Sequence, residues 1–265
     1  MKNDPSRTTI FVDADNTLWE TNSVFAHAQL SLLAAVESAI GIAVPNVDRL
    51  AFLREIDQAI AARHHSGLRY PPQLLVRATE LALSGMKADE AARAAWRGGQ
   101  YYRMSESDIA EIEQRFWSDL AAPPKPRPGV EAGLSRLEQL GYLLLIVTEG
   151  PKAKVAQIAE DLNLSRFFDR IIEGPKTPAL YRRVLSLTRA LAPAYMIGDQ
   201  LDRDIKPAKD AGLSTIYFPG AFRPRWTPDE AAVQPDYVIS SLAEVPDIVL
   251  GRAAGRNEQA KSIRR

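Results

Sequence analysis

The segment Thr9-Ile10-Phe11-Val12-Asp13-Ala14-Asp15-Asn16-Thr17-Leu18 constrains the fold more than any other stretch of the chain. It opens as a run of β-branched and aromatic residues, the composition of a strand buried on both faces. It then breaks into two carboxylates one residue apart. A strand apolar on both sides needs a layer of structure against each face. Ligands of open α/β sheets bind beyond the carboxyl ends of the strands, so Asp13 belongs at the edge of such a crevice. The plainer alternative is that the two Asp residues only start a turn.

After Leu18 the pattern becomes helical for about a hundred residues. Asn22 or Ser23 is expected to cap a first helix carrying Ala28, Leu32, Val36 and Ile40 on one face, ended by Gly41 and Pro45. Asn46 is expected to cap a second, with Leu53, Ile56 and Ile60 in step. A third follows Pro71 and Pro72, a shorter one covers 87–96, and Ser105 or Ser107 opens a fifth with Ile109, Ile112, Phe116 and Leu120. Short connections and the lack of any strand pattern read as a small helical bundle. It ends at 121–129, where Pro123, Pro124, Pro126 and Pro128 forbid a continuing helix.

From Val130 the rhythm alternates. Strands are expected at 142–147, 171–172, 194–197, 215–218 and 237–239, with helices at 152–162, 179–190 and 202–211 between them. Such alternation implies a three-layer α/β/α core around a mostly parallel, Rossmann-like sheet. The opening strand joins that sheet, so the bundle is inserted after it. The expected division is 1–21 and 123–250 as a discontinuous core, 22–122 as the helical insertion, and 251–265 as a basic, frayed tail.

Composition excludes several classes of function. Lys plus Arg and Asp plus Glu are 33 each, so no global field favours nucleic acid or an anionic membrane. The chain has no cysteine, which removes disulfides, thiolate metal sites and thiol catalysis and is compatible with the cytoplasm. No apolar run is expected to reach the length of a membrane span.

Four strand ends carry chemically distinct groups. The first gives Asp13 and Asp15; the second gives Thr148-Glu149-Gly150; beyond the third lies Lys176 between Pro175 and Pro178; the fourth gives Gly198-Asp199-Gln200-Leu201-Asp202-Arg203-Asp204. Carboxylates from two strands suit a hard cation with oxygen ligands, and Mg²⁺ is the expected ion. A hydroxyl, backbone N–H donors and a Lys around one carboxylate are parts for phosphoryl transfer. Taken singly, Thr148 reads equally as a helix cap, Lys176 as a solvated loop residue, and Asp202 and Asp204 as partners of a helix N-terminus.

Taken in order, these residues resemble the haloacid dehalogenase superfamily. Its pattern of D-x-D-x-T, a strand ending in Ser or Thr, a Lys, and G-D with a second acid is matched by Asp13-Ala14-Asp15-Asn16-Thr17, Thr148, Lys176, and Gly198-Asp199 with Asp204. The resemblance covers 6–21 and about 126–248, and the insertion looks like the helical cap of one branch of that superfamily. It implies that Asp13 attacks phosphorus, and that Asp15 protonates the leaving oxygen and then activates water. Thr148 would hold a phosphoryl oxygen and Lys176 would neutralise charge. Mg²⁺ would be bound by Asp13, the backbone carbonyl of Asp15, and Asp199, with Asp204 assisting and Asp202 as its less fitting substitute. An acid at position 15 implies phosphate esters and not haloacids or phosphonates. Two residues depart from the pattern: Glu149 stands where Asn is usual, and Asn16 where Gly or Val is common. Glu149 is expected to point away from the phosphoryl site or to meet a cationic group of the substrate.

The resulting expectation is a phosphatase hydrolysing a small phosphorylated metabolite, nucleotide or sugar phosphate, as a monomer or homodimer, with neither nucleic acid nor membrane as partner. A phosphotransferase or mutase using the same residues, and a catalytically silent binding module, are the alternatives. Two further readings concern ligand contact. Trp19 could stack on a base or sugar, and Arg63, His64, His65 and Arg69 form the densest cationic stretch. The mixed aromatics and arginines of 96–103 could bind nucleic acid, but are expected to pack between helices.

Overall fold

Parallel pairing of short, wholly apolar strands sets the architecture. The computed structural model describes residues 8–44, 48–63, 70–98, 101–189 and 191–251. The expected stop at Pro45, the cap at Asn46, the cationic residues His64, His65 and Arg69, and the basic tail past Gly251 lie outside them. The strands are β1 (Thr8–Val12), β2 (Leu143–Thr148), β3 (Arg170–Glu173), β4 (Leu191–Gly198), β5 (Ser214–Tyr217) and β6 (Tyr237–Val238). They form one sheet in the order β3-β2-β1-β4-β5-β6, with every pairing parallel.

Alternation along each strand divides the apolar residues between two layers. On one face Ile10 and Val12 of β1, Leu144 and Ile146 of β2, and Tyr195 and Ile197 of β4 pack into a single core. Helices α6 (Val130–Gln139), α7 (Lys152–Asp161) and α11 (Val245–Val249) cover it through Val130, Leu134, Val155, Ala159 and Ile248. On the other face Phe11, Leu145, Val147 and Met196 meet Tyr181 and Val184 of α8 (Pro178–Thr188) and Ala208 of α9 (Lys206–Asp210). The Phe11 and Tyr181 rings meet edge to face at 5.8 Å. Each large apolar side chain so buried contributes about 1.5–3 kcal/mol relative to exposure. The three-layer α/β/α expectation therefore describes this fold.

Differences from the sequence expectation are local. The helix expected over 202–211 begins as a π-helical turn, Leu201–Ile205, before α9. Two short helices, α10 (Glu230–Val233) and α11, had no expectation. Their four or five residues are too few to show a helical period.

The chain divides into two compact units, Met1–Asn22 with Pro124–Arg265, and Ser23–Pro123. The second unit is helical: α1 (Thr21–Ile40, which begins in the first unit), α2 (Arg49–Ala61), α3 (Pro72–Leu83), α4 (Ala88–Arg97) and α5 (Glu106–Leu120). Helix α2 is capped by Asp48, which accepts N–H bonds from Leu50 and Ala51, and α5 by a reciprocal Ser105 and Asp108 capping box. Its core joins Leu32, Leu33, Val36, Leu53, Ile56, Val76, Ile109 and Phe116. Buried Glu80 accepts N–H groups of Arg103 and Met104, fixing the chain before α5. Of the aromatics near 96–103, Tyr102 packs against this core beneath Arg77, whereas Trp96 and Tyr101 are exposed.

One expectation about membranes is corrected. Helix α1 holds an 18-residue window of mean hydropathy 1.3, long and apolar enough by composition to cross a bilayer. Its Ala28, Leu32, Leu33 and Val36 are buried in the helical core.

Helix α6 lies so close to the turn at Leu242 that only glycine fits at position 133. A Cβ there would meet the Leu242 carbonyl oxygen at 2.4 Å. Gly133→Ala should lower unfolding free energy by about 2 kcal/mol through overpacking, read as a shifted urea midpoint at unchanged slope.

Candidate active site

The strand order reverses between β1 and β4, and the crevice beyond their carboxyl ends is where an α/β sheet of this kind presents ligands. Asp13, the first residue past β1, donates its N–H to the Ile197 carbonyl at 2.9 Å, which seats it beside Gly198 and Asp199. The carboxylates of Asp13, Asp199 and Asp204 converge, each offering an oxygen within 4.8 Å of the others. All three are buried. Between them lies Lys176, whose Nζ donates to Asp13 Oδ1 and, at 2.5 Å, to Asp204 Oδ1.

The fourth strand end is shaped by one glycine and a turn. A Cβ on Gly198 would sit 2.3 Å from the Asp204 Cβ, so glycine is needed for the π-helical turn to fold back over the strand end. Asp204 closes that turn by accepting the Gln200 N–H at 2.9 Å on Oδ2, leaving Oδ1 for Lys176. Asp204 is fully buried, whereas Asp202 is partly exposed and does not join the cluster. Asp199 Oδ1 is buried without a hydrogen-bond partner.

The electrostatics follow from burial. Desolvation pushes Asp13 up to about 7, with Asp204 and Asp15 adding repulsion against the lowering effect of Lys176. Asp199 is held well above the usual carboxylate range by burial and by Asp13 and Asp204, opposed by Lys176 and Arg127. Burial disfavours the Lys176 ammonium, but Asp13 and Asp204 outweigh it and hold its pKa well above the ordinary lysine value. Three carboxyl groups share one ammonium, and one of their oxygens, Asp199 Oδ1, has no partner. That donor set, all hard oxygen, fits Mg²⁺.

Asp15 faces elsewhere. Its Oδ1 accepts the Trp19 indole N–H at 3.0 Å and the Thr21 hydroxyl at 2.7 Å. Its Oδ2 lies toward Gly150: a Cβ on that glycine would be 3.8 Å from Asp15 Oδ2 and 3.3 Å from Thr148 Oγ1. The Asp15 carboxylate is thus outside the metal-type cluster, while β1 and β2 bring it to the same side as buried Thr148. Thr148 Oγ1 accepts the Gly150 N–H at 3.0 Å. Trp19 is fully buried, which corrects its reading as a stacking platform for a base or sugar. Glu149 points toward Arg203 at 2.8 Å and the Lys176 backbone N–H at 3.1 Å. The departure at position 16 also has a geometric basis: Asn16 takes a left-handed φ of 59°, which asparagine tolerates, and its side chain accepts the Asn22 N–H at 2.7 Å.

Sequence reasoning missed Arg127. From the proline-rich connector its guanidinium donates to the Asn16 carbonyl at 2.5 Å, the Phe218 carbonyl at 3.0 Å and the Pro219 carbonyl at 2.8 Å. Its Nε pairs with Glu20 at 3.0 Å, and the group lies 3.5 Å above the Phe218 ring. This one side chain joins the loop after β1 to the loop after β5. The latter carries Gly220 against Asp199, where a Cβ would approach Oδ2 to 3.0 Å. A lone Arg between two prolines gives no hint of partners so far along the chain.

Comparison with known proteins identifies the family. The family model described as haloacid dehalogenase-like hydrolase matches residues 8–212, and the chain belongs to that family. A glyceraldehyde 3-phosphate phosphatase of Pyrococcus abyssi is 29% identical over 216 residues, 79% of this chain and 80% of that protein. A phosphoglycolate phosphatase of Neisseria meningitidis is 32% identical over 148 residues, 53% of this chain and 63% of that protein. Among solved structures, a haloacid dehalogenase-type hydrolase of Bacillus subtilis bound to magnesium shares the fold, with a TM-score of 0.60, 23% identity, and coverage of 92% of this chain and 99% of that one.

Two outcomes test this geometry. Arg127→Ala should cost about 3 kcal/mol of unfolding free energy, because it strips donors from three carbonyls and the partner from Glu20, read by chemical denaturation. In the metal-free protein Asp13 keeps its proton to about pH 7, against 3.8 ordinarily. The fold then binds more protons than the unfolded chain between those values, so stability should fall as pH rises from about 4 to about 7, with Asp199 acting in the same direction. Thermal unfolding across that range reads the slope, and Asp13→Asn should make it shallower, leaving the part due to Asp199.

Proposed function

We propose that this chain is a divalent-metal-dependent phosphatase that hydrolyses a small phosphomonoester through an aspartyl-phosphate on Asp13. One observation supports this above the others: a buried carboxylate at the switch point of the sheet faces a lysine and two further acids, with a hydroxyl on the adjacent strand. A phosphotransferase would use the same residues and differ only in the acceptor of the phosphoryl group. Relatives named as phosphatases favour water as that acceptor. An intact set of acids, lysine and hydroxyl argues against a silent binding module.

In this reading Asp13 attacks phosphorus in line with the leaving alkoxide. Asp15, protonated at that moment, gives its proton to the departing oxygen, so the ester P–O bond breaks as the Asp13 O–P bond forms. Asp15 then takes a proton from water, which attacks the same phosphorus and releases phosphate and free Asp13. Oδ1 of Asp15 is occupied by Trp19 and Thr21, which leaves Oδ2 for both proton transfers. Thr148 offers its hydroxyl to a phosphoryl oxygen. Lys176 balances charge on Asp13 and on the transferring group.

Asp13, Asp199 and the backbone carbonyl of Asp15, with Asp204 beside them, would hold Mg²⁺. Bound there, the ion supplies charge neutralisation for phosphate in a site that otherwise repels anions. We read 22–122 as the cap domain that selects substrate, and the protein as cytoplasmic. The relatives are named for glyceraldehyde 3-phosphate, phosphoglycolate and ribulose-1,5-bisphosphate, so phosphorylated two-, three- and five-carbon metabolites lead the substrate classes.

The deciding measurement is phosphate release from an aryl phosphate and from a panel of such metabolites. Hydrolysis should require Mg²⁺, stop with a chelator, and fall by more than about a thousandfold in Asp13→Asn. A wild-type protein inert on every ester, with or without metal, would sink the reading.

A further inference from the structure

The residue that departs from the family pattern next to Thr148, Glu149, closes a ring of contacts through Lys176. Its Oε1 accepts the backbone N–H of Lys176 at 3.1 Å, and its Oε2 pairs with Arg203 Nη1 at 2.8 Å. Arg203 is bonded along the chain to Asp204, and Asp204 Oδ1 receives the Lys176 ammonium at 2.5 Å. The circuit therefore runs from the Lys176 amide through Glu149, Arg203 and Asp204 back to the Lys176 side chain. It binds together three separate loops, those following β2, β3 and β4.

We propose that Glu149 and Arg203 are a positioning pair whose task is to hold Lys176 and Asp204 in register with Asp13. The proposal rests on the phosphatase reading above. Lys176 sits in a loop, and its ammonium, though held by Asp13 and Asp204, also depends on where that loop fixes its backbone. Two prolines stiffen that loop, and the Glu149 carboxylate anchors the amide between them. Arg203 in turn pairs with the Glu149 carboxylate, so the acid that follows Thr148 is met by a guanidinium. The Arg203 and Glu149 side chains remain 37% and 30% exposed. An ion pair so exposed adds little to global stability, and its contribution is to geometry.

This separates positioning from mere support. Glu149→Ala and Arg203→Met should each lower kcat on an aryl phosphate about tenfold, with KM within about twofold, because small displacements of a charge-stabilising group act on the transition state. Melting temperatures should stay within about 2 °C of wild type. Glu149→Gln, which keeps an acceptor for the Lys176 amide, and Arg203→Lys should each recover part of the loss. The double variant Glu149→Ala/Arg203→Met should be no slower than the worse single one, since both break one circuit. Hydrogen exchange read by mass spectrometry should quicken at 174–177 in Glu149→Ala and stay unchanged at 144–147.

Wild-type kcat in Glu149→Ala, losses that add in the double variant, or unchanged exchange at 174–177 would each overturn the proposal. Absence of phosphatase activity in the wild type would instead overturn the functional reading, and the exchange measurement would still decide whether the pair fixes the loop.

Discussion

Three carboxylates withdrawn from water at the end of two adjacent strands set the terms for the rest of the core. Asp13, Asp199 and Asp204 are all buried, and desolvation is the foremost cause holding Asp13 and Asp199 above the ordinary carboxylate range. An isolated buried charge is costly, so each must find a partner, take up a proton or bind a metal. The fold supplies one ammonium among them, from Lys176, and one guanidinium nearby, from Arg127. A donor set of this kind, rich in carboxylate oxygen, suits a hard cation.

The apolar strands make such a concentration of charge possible. Because β1, β2 and β4 bury both faces, their positions cannot drift without exposing a core layer, and the register carries Asp13 to Gly198 with little freedom. Around that frame, small residues and clamps set the loops. Gly198 admits the turn that carries Asp204, Gly220 passes close to Asp199, and Arg127 ties the loops after β1 and β5 to the connector. Buried carbonyls satisfied by one guanidinium form a network in which any missing member leaves the others unpaired. Rigidity in the loops is thus drawn from polar contacts, and rigidity in the strands from packing.

Asp13 and Asp15 stand two residues apart and meet different surroundings. Asp13 is enclosed with acids and a lysine, whereas Asp15 is met by neutral donors from Trp19 and Thr21. Two chemically identical side chains are thereby given separate environments, the condition under which a pair of carboxylates can divide a nucleophilic and a proton-transferring role.

Much of this was legible in the residues alone. The parallel three-layer fold follows from apolar runs of strand length alternating with helical periodicity, and the acids, Thr148 and Lys176 stood out because each follows such a run. These are local signals, carried within a few residues of chain. What the tertiary structure decided is long in sequence. It chose Asp204 over Asp202 for the cluster, capped α2 with Asp48, buried Trp19, turned Glu149 toward Arg203, and joined Arg127 to Asn16 across 111 positions. Periodicity and propensity report which face of an element is apolar. They carry no information on which polar groups will meet once those faces are packed, because such meetings depend on the register and approach of elements that only the folded chain brings together.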